Sequence, residues 1–254
     1  MTSSRPPARD APAEAALLHL AARLHGPRVA VLRDGDTAWW APSVEALVLG
    51  VREAGAGADR ALRAPILVGV EPGPSARALV QVGAKRVRVV GAVAGPVSAL
   101  TWRAAGPWAG AARRRAAASA QWLSGEDPWE AVGRLEAAAR RTGPRWRQDL
   151  PVAAVLVDGE GRAVLGARNL GGSNRVLHAE RVLLEAWRAA GRGPIPAGWR
   201  LCVGLTPCRM CAAALVDAAT GPLDVVVARE DPGRLARHTA LQASGWERPR
   251  SSSG

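Results

Sequence analysis

Leu17, Leu18, Leu20, Ala21 and Leu24 recur at three- and four-residue intervals, which predicts an amphipathic helix from Pro12 to His25, stopped by Gly26-Pro27. The apolar run Val29 to Leu32, the turn pair Asp34-Gly35 and the stretch Thr37 to Trp40 then predict a hairpin. A helix from Ser43 to Ala54 with the serine as its cap follows, then a strand over 66–70, a helix near 75–82 and a strand over 86–90. The second half reads in the same order. A helix from Pro128 to Arg141, with Asp127 as N-cap, buries Val132, Leu135, Ala138 and Ala139. Val152 to Val157 and Ala163 to Ala167 form a hairpin around Asp158-Gly159. A helix over 178–190, a strand over 201–205, a helix over 208–218 and a strand over 225–228 complete it.

The recurrence extends to residues. VAVLRDGD from Val29 parallels VAAVLVDGEG from Val152, and SVEALVLGVREAG from Ser43 parallels HAERVLLEAWRAAG from His178. Glu45 precedes Pro72 by 27 residues, and Glu180 precedes Pro207 by 27. One fixed offset over several elements predicts a duplication.

With 254 residues and 48% hydrophobic content the chain can fill two modest domains, and its composition excludes a disordered protein. No apolar run reaches the length of a membrane span. Three cysteines, two of them in one C-x-x-C, make no disulfide framework, and the Pro/Ala-rich start does not read as a signal peptide, so a cytoplasmic, reducing compartment is expected. The formal net charge is +12, and most of the excess lies in residues 1–125. Such a charge attracts a polyanion, although arginine enrichment in an Ala/Gly-rich chain is also a matter of composition.

Two short runs carry the chemistry: Leu177-His178-Ala179-Glu180 and Thr206-Pro207-Cys208-Arg209-Met210-Cys211. One imidazole and two thiolates are the ligand types zinc prefers, and a catalytic zinc keeps its fourth position open. Cys208 and Cys211 lie three apart at a helix start, where the dipole favours thiolates; Glu180 lies two residues past the histidine, placed to move protons rather than to bind metal. Cys202 sits in an apolar strand and reads as core; His238, in a later helix, has no motif behind it. Trp246 covers the core or stacks on a base, and Arg113-Arg114-Arg115 reads as a solvated helix face or a phosphate track.

H-x-E followed by P-C-x-x-C, with DLPVAAVLVDGEGRAVLGARN from Asp149 ahead of it, resembles the cytidine deaminase-like superfamily over roughly residues 126–245, most nearly tRNA adenosine deaminases and related bacterial deaminases. The resemblance implies a three-layer α/β/α fold with a mixed sheet, here expected as a tandem pair. The expected division is an arm over 1–10, a degenerate copy over 11–100, a connecting segment over 101–125, an intact copy over 126–247 and a tail over 248–254. In the degenerate copy Ser43 stands where His178 stands, and Gly73 and Ala76, or Pro72 and Ser75, stand where the two cysteines do.

The resemblance implies Zn2+ on His178, Cys208 and Cys211, Glu180 as proton shuttle, and Asn169, Asn174 and Ala179 as residues beside the substrate. It implies a hydrolytic deaminase that replaces an exocyclic amine by a carbonyl. The expected substrate is cytosine in single-stranded or flipped nucleic acid, with the metal-free half as a binding platform in place of a dimer partner. Adenosine in tRNA or RNA, a free nucleoside or nucleotide, and a non-enzymatic zinc-stabilised scaffold are the alternatives. A dinucleotide-dependent reductase is disfavoured, since neither half carries the glycine run.

Overall fold

The computed structural model describes residues 11–25, 29–34, 36–55, 61–69, 87–89, 100–141, 150–170 and 174–250. The chain divides into two compact units, Met1–Ala109 and Gly110–Gly254. Among the described residues no helix is long and apolar enough to cross a membrane.

The first unit holds α1 (Ala11–His25), β1 (Ala30–Asp34), β2 (Thr37–Ala41), α2 (Val44–Glu53), β3 (Ile66–Val68), β4 (Val87–Val89) and β5 (Thr101–Ala104). Its sheet runs β4-β3-β1-β2-β5. β1 is antiparallel to β2 and to β3, whereas β3 and β4, and β2 and β5, pair in parallel. Leu17, Leu18 and Ala21 of α1 pack on Val29, Val31, Ala38 and Leu67, the helical stripe predicted from their spacing. Ser43 caps α2 by accepting the Ala46 N–H at 3.1 Å. Gly50 of α2 lies against the backbone of Ala105, where any side chain would collide with the Ala105 carbonyl, so this helix approaches at a distance only glycine permits. The helix expected near 75–82 lies outside the described residues.

The stretch 101–125, expected to be a connection, is built into the fold instead. β5 extends the first sheet, α3 (Gly106–Ser119) follows, and β6 (Gln121–Trp122) is an edge strand of the second sheet. The reason lies in α3: Ala109, Ala112 and Ala116 recur at intervals of three and four and are all buried. In a helix where nine of the fourteen residues are alanine or arginine, that periodicity does not stand out.

The second unit continues with α4 (Pro128–Arg141), β7 (Ala153–Val157), β8 (Ala163–Arg168), α5 (Ala179–Ala189), β9 (Arg200–Val203), α6 (Arg209–Ala218), β10 (Asp224–Val227), α7 (Ala240–Ala243) and β11 (Glu247–Pro249). Its sheet runs β11-β10-β9-β7-β8-β6, a mixed sheet of the kind expected. β7 is antiparallel to β8 and β9, and β9, β10 and β11 are mutually parallel. All five residues of β7 are buried, so both faces of the sheet are covered. Ala131, Val132 and Leu135 of α4 cover the face of Ala153, Val155 and Val157, while α5 packs on β7 and β8 and against α6.

Two expectations on the C-terminal segment are corrected. His238 is not helical: it sits before α7 at φ 53, where it interrupts the backbone between a 3-10 turn and that helix. Arg248 and Pro249 are not tail but part of β11, held because Arg248 donates to Asp224 at 2.7 and 2.8 Å.

Candidate active site

β8 and β9 both run antiparallel to β7, so they point the same way and their following loops leave at one edge of the sheet. Each loop ends at a helix start. His178 is the N-cap of α5 and Cys208 the N-cap of α6, both extended (ψ 163 and 166), and neither spends its side chain on capping. Released from the helix, the imidazole Nδ1 lies 3.5 Å from Cys208 Sγ and 3.6 Å from Cys211 Sγ. The three donor atoms lie within 4.8 Å of one another.

This set fits a metal ion. Tetrahedral bonds of about 2.3 Å to sulfur and about 2.05 Å to nitrogen put the nitrogen and a sulfur about 3.6 Å apart, which is the spacing the side chains hold. Of the two thiols, Cys208 is the one disposed to lose its proton. Cys211 hydrogen-bonds to Cys208 and draws its thiol well below the ordinary range, with His178 adding to the effect, while burial and the neighbouring sulfur push Cys211 upward. Both sulfurs are buried.

Glu180, in the first turn of α5, is 3% exposed and lines the same cleft as His178 and Cys208. Burial raises its carboxyl above the usual carboxylate range, partly opposed by His178. The cleft has a volume of about 120 Å³; Leu150, Val152 and Leu205 give it apolar surface, and Asn169, Thr206 and Asp231 its polar rim. An apolar slot with a few convergent polar groups suits a flat heteroaromatic ring.

Of the remaining expected residues, Asn169 lies in this cleft, but its amide ties down the chain beside it. Its Oδ1 accepts the Val152 N–H at 3.2 Å and its Nδ2 donates to the Leu150 carbonyl at 3.0 Å, which fixes the cleft's apolar wall. Asn174 is not among the cleft residues. It is 2% exposed and shapes the turn before α5, with Oδ1 accepting the Val176 N–H and its carbonyl accepting the Leu177 N–H. Ala179, the first residue of α5, is fully buried between His178 and Glu180 and is likewise not among the cleft residues. Cys202 is core on β9, where burial pushes its thiol up to about 11. Trp246 is half-buried, and its backbone joins α7 to β10.

Thr206 and Asp231 were not anticipated as cleft residues. Thr206 stood inside the cysteine motif and was legible as its neighbour; Asp231 arrives from the loop after β10, with no local signal. The two are joined because the Asp231 N–H donates to Thr206 Oγ1 at 3.1 Å. Behind them, buried Glu136 accepts from Arg229 at 2.7 Å, and Arg229 donates to the Gly204 carbonyl at 3.0 Å, holding the loop that delivers Cys208. Burial raises the Glu136 carboxyl, with Arg229 opposing.

Residues 143–252 match the family model described as Bd3614-like deaminase. That segment is a deaminase domain of the cytidine deaminase-like superfamily. The chain is 32% identical over 144 residues to the tRNA(Ile)-lysidine synthase of Deinococcus radiodurans, covering 50% of this chain and 25% of that protein. The chain thus spans about a quarter of the length of this curated relative. A structure from a study of A-to-I editing by tRNA:A34 deaminases at the wobble position of transfer RNA is 32% identical, with 41% of this chain and 76% of that chain covered, at a TM-score of 0.32. A dCMP deaminase from the cyanophage S-TIM5 is 14% identical (50% and 99% covered, TM-score 0.36), and a guanine deaminase from Nitrosomonas europaea is 19% identical (54% and 75% covered, TM-score 0.34).

Proposed function

We propose that this protein is a zinc-dependent hydrolytic deaminase acting on a nucleobase in single-stranded or flipped nucleic acid, with cytosine the expected base. The observation that carries the reading is the convergence of His178, Cys208 and Cys211 at metal-ligand spacing, with His178 and Cys208 lining a cleft that Glu180 also lines. His178, Cys208 and Cys211 would hold the ion. Zinc supplies Lewis acidity that brings the pKa of water from 15.7 towards about 7. Glu180 takes a proton from the attacking water at its carboxylate and hands it to the ring nitrogen, then passes the second to the departing amine. Base and water become deaminated base and ammonia, so atoms and charge balance. Leu150, Val152 and Leu205 exclude solvent from the ring faces, and Asn169 keeps that wall in place.

A polymeric substrate is supported by the net charge of +12 and by a curated relative named for a transfer-RNA reaction. We propose in addition that the first unit is a copy of the deaminase fold without its metal set. Support comes from strand order: β4-β3-β1-β2 repeats as β10-β9-β7-β8, with the same parallel and antiparallel pairings. The N-cap taken by His178 on α5 is taken on α2 by Ser43, whose hydroxyl closes the helix end instead.

The test is ammonia release, confirmed by base mass, from single-stranded DNA, single-stranded RNA, transfer RNA and free nucleosides. Glu180→Ala, which keeps its metal, serves as the blank, with a rate at least 100-fold lower expected on loss of the proton shuttle. Turnover on polymers supports the reading and names the base. Turnover on nucleosides alone moves the assignment to a small-molecule deaminase, and silence on the whole panel with zinc bound moves it to a scaffold.

A further inference from the structure

Glu185 of α5 is a buried carboxylate with 4% of its side chain exposed, and three guanidiniums surround it. Arg113 Nε of α3 lies 3.6 Å away, Arg181 3.6 Å and Arg188 3.3 Å. One negative charge thus organises three positive ones at separations longer than a bidentate ion pair holds, and exposed Arg114 adds a fourth. Arg113, Arg114, Glu185 and Arg188 line an open groove of about 530 Å³ between α3 and α5. The groove carries excess positive charge, and Arg113 and Arg188 keep 42% and 46% of their side chains exposed.

An aromatic surface adjoins it. Trp187, next to Arg188 in the chain, lies 6.3 Å from the ring of Trp122, and the Arg192 guanidinium sits 5.6 Å over Trp122 and 5.5 Å over Trp187. Trp122 is 53% exposed, large for so apolar a side chain. A bare phosphate would use the arginines and leave this ring idle. A chain of nucleotides uses both, phosphates on the guanidiniums and a base on the indole.

We propose that this face of the second unit, Arg113, Arg114, Arg188 and Arg192 with Trp122, binds single-stranded nucleic acid through its phosphates and one stacked base. The inference rests on the reading of the substrate as a polymer. The face stands at the far end of α5 from His178, about 16 Å along an eleven-residue helix, so it can be altered without touching the cleft.

The test uses the full-length protein and fluorescence anisotropy with a labelled 20-nucleotide single-stranded RNA and its DNA equivalent, from 50 to 200 mM salt. Arg114→Gln with Arg188→Gln is expected to weaken binding at least tenfold at low salt and to flatten the log-log salt slope by about 1.4, about 0.7 for each phosphate no longer neutralised. Trp122→Ala is expected to weaken binding about tenfold with the slope unchanged, the mark of a missing stacking platform. Zinc content and melting temperature verify that each variant is folded, and Arg114→Gln alone serves if the pair is not.

Parental binding strength in the folded variants overturns the proposal, whatever the deaminase assay shows. So does displacement of the RNA by polyglutamate, by anionic vesicles or by AMP as readily as by unlabelled RNA. Weakened binding in the variants from a protein that releases no ammonia keeps this surface and overturns the deaminase reading instead.

Discussion

At the N-cap of two helices an extended backbone serves two ends. Ser43 turns its hydroxyl back to close α2, whereas His178 leaves the start of α5 without a side-chain cap and sends its imidazole to the cysteines. A cap is worth about 1 kcal/mol, so His178 stands at this position at a local cost that a bound metal would offset on the function proposed above. Cys208→Ser removes one of three donors. We expect metal content to fall from one zinc per chain to near zero, with a loss of about 2.7 kcal/mol of stability where free zinc stands at 100 times the parent's Kd. Metal analysis beside urea unfolding checks this, and unchanged metal content would remove Cys208 from the ligand set. At this scale His178, Glu180, Cys208 and Cys211 were legible because each motif is local. Asn169 was legible as a cleft residue and not as a tether, since the backbone groups it holds, Val152 N–H and the Leu150 carbonyl, lie 17 and 19 residues away.

Among the elements, the sheet edge β9-β10-β11 depends on one carboxylate. Asp224 accepts from Arg200 at 2.6 Å and from Arg248 at 2.7 and 2.8 Å, joining three parallel strands across their start. The Arg248 hydrogen bond is the main reason its carboxyl lies below the ordinary range, with Arg200 contributing. A depressed folded-state pKa gives stability that is present above the unfolded value of about 3.9 and lost as pH falls through the folded one. Unfolding free energy is therefore expected to drop as the solution is acidified below about pH 4. Asp224→Asn should start lower at neutral pH and show a shallower acid slope, read by urea titrations from pH 6 to 2.5; parallel curves for parent and variant would rule the linkage out. β11 escaped the sequence reading because ERP holds no alternation and its partner charge is 24 residues upstream. α3 escaped it because its buried stripe is alanine in an alanine-rich run. The helices and strands around the two motifs were legible, since caps, turns and apolar spacing all agreed there.

For the whole molecule, two sheets with separate cores imply two cooperative units rather than one. Calorimetry is expected to resolve two transitions, and a zinc chelator should lower only that of the second unit, which contains the ligand set. A single transition, or an equal shift in both, would contradict independent units.

The sequence by itself determined the candidate chemistry: which side chains are of the types zinc prefers, which carboxylate stands beside them, and that both motifs begin helices. These follow from residue type and near-neighbour spacing. Only the tertiary structure decided that β8 and β9 deliver the two helix starts to one sheet edge with nitrogen and sulfur about 3.5 Å apart. It also decided that Asp231 and Thr206 share the rim, and that Glu185 gathers arginines from two helices. Each of these joins residues 25 to 72 positions apart, and strand direction and burial, not local pattern, set such distances.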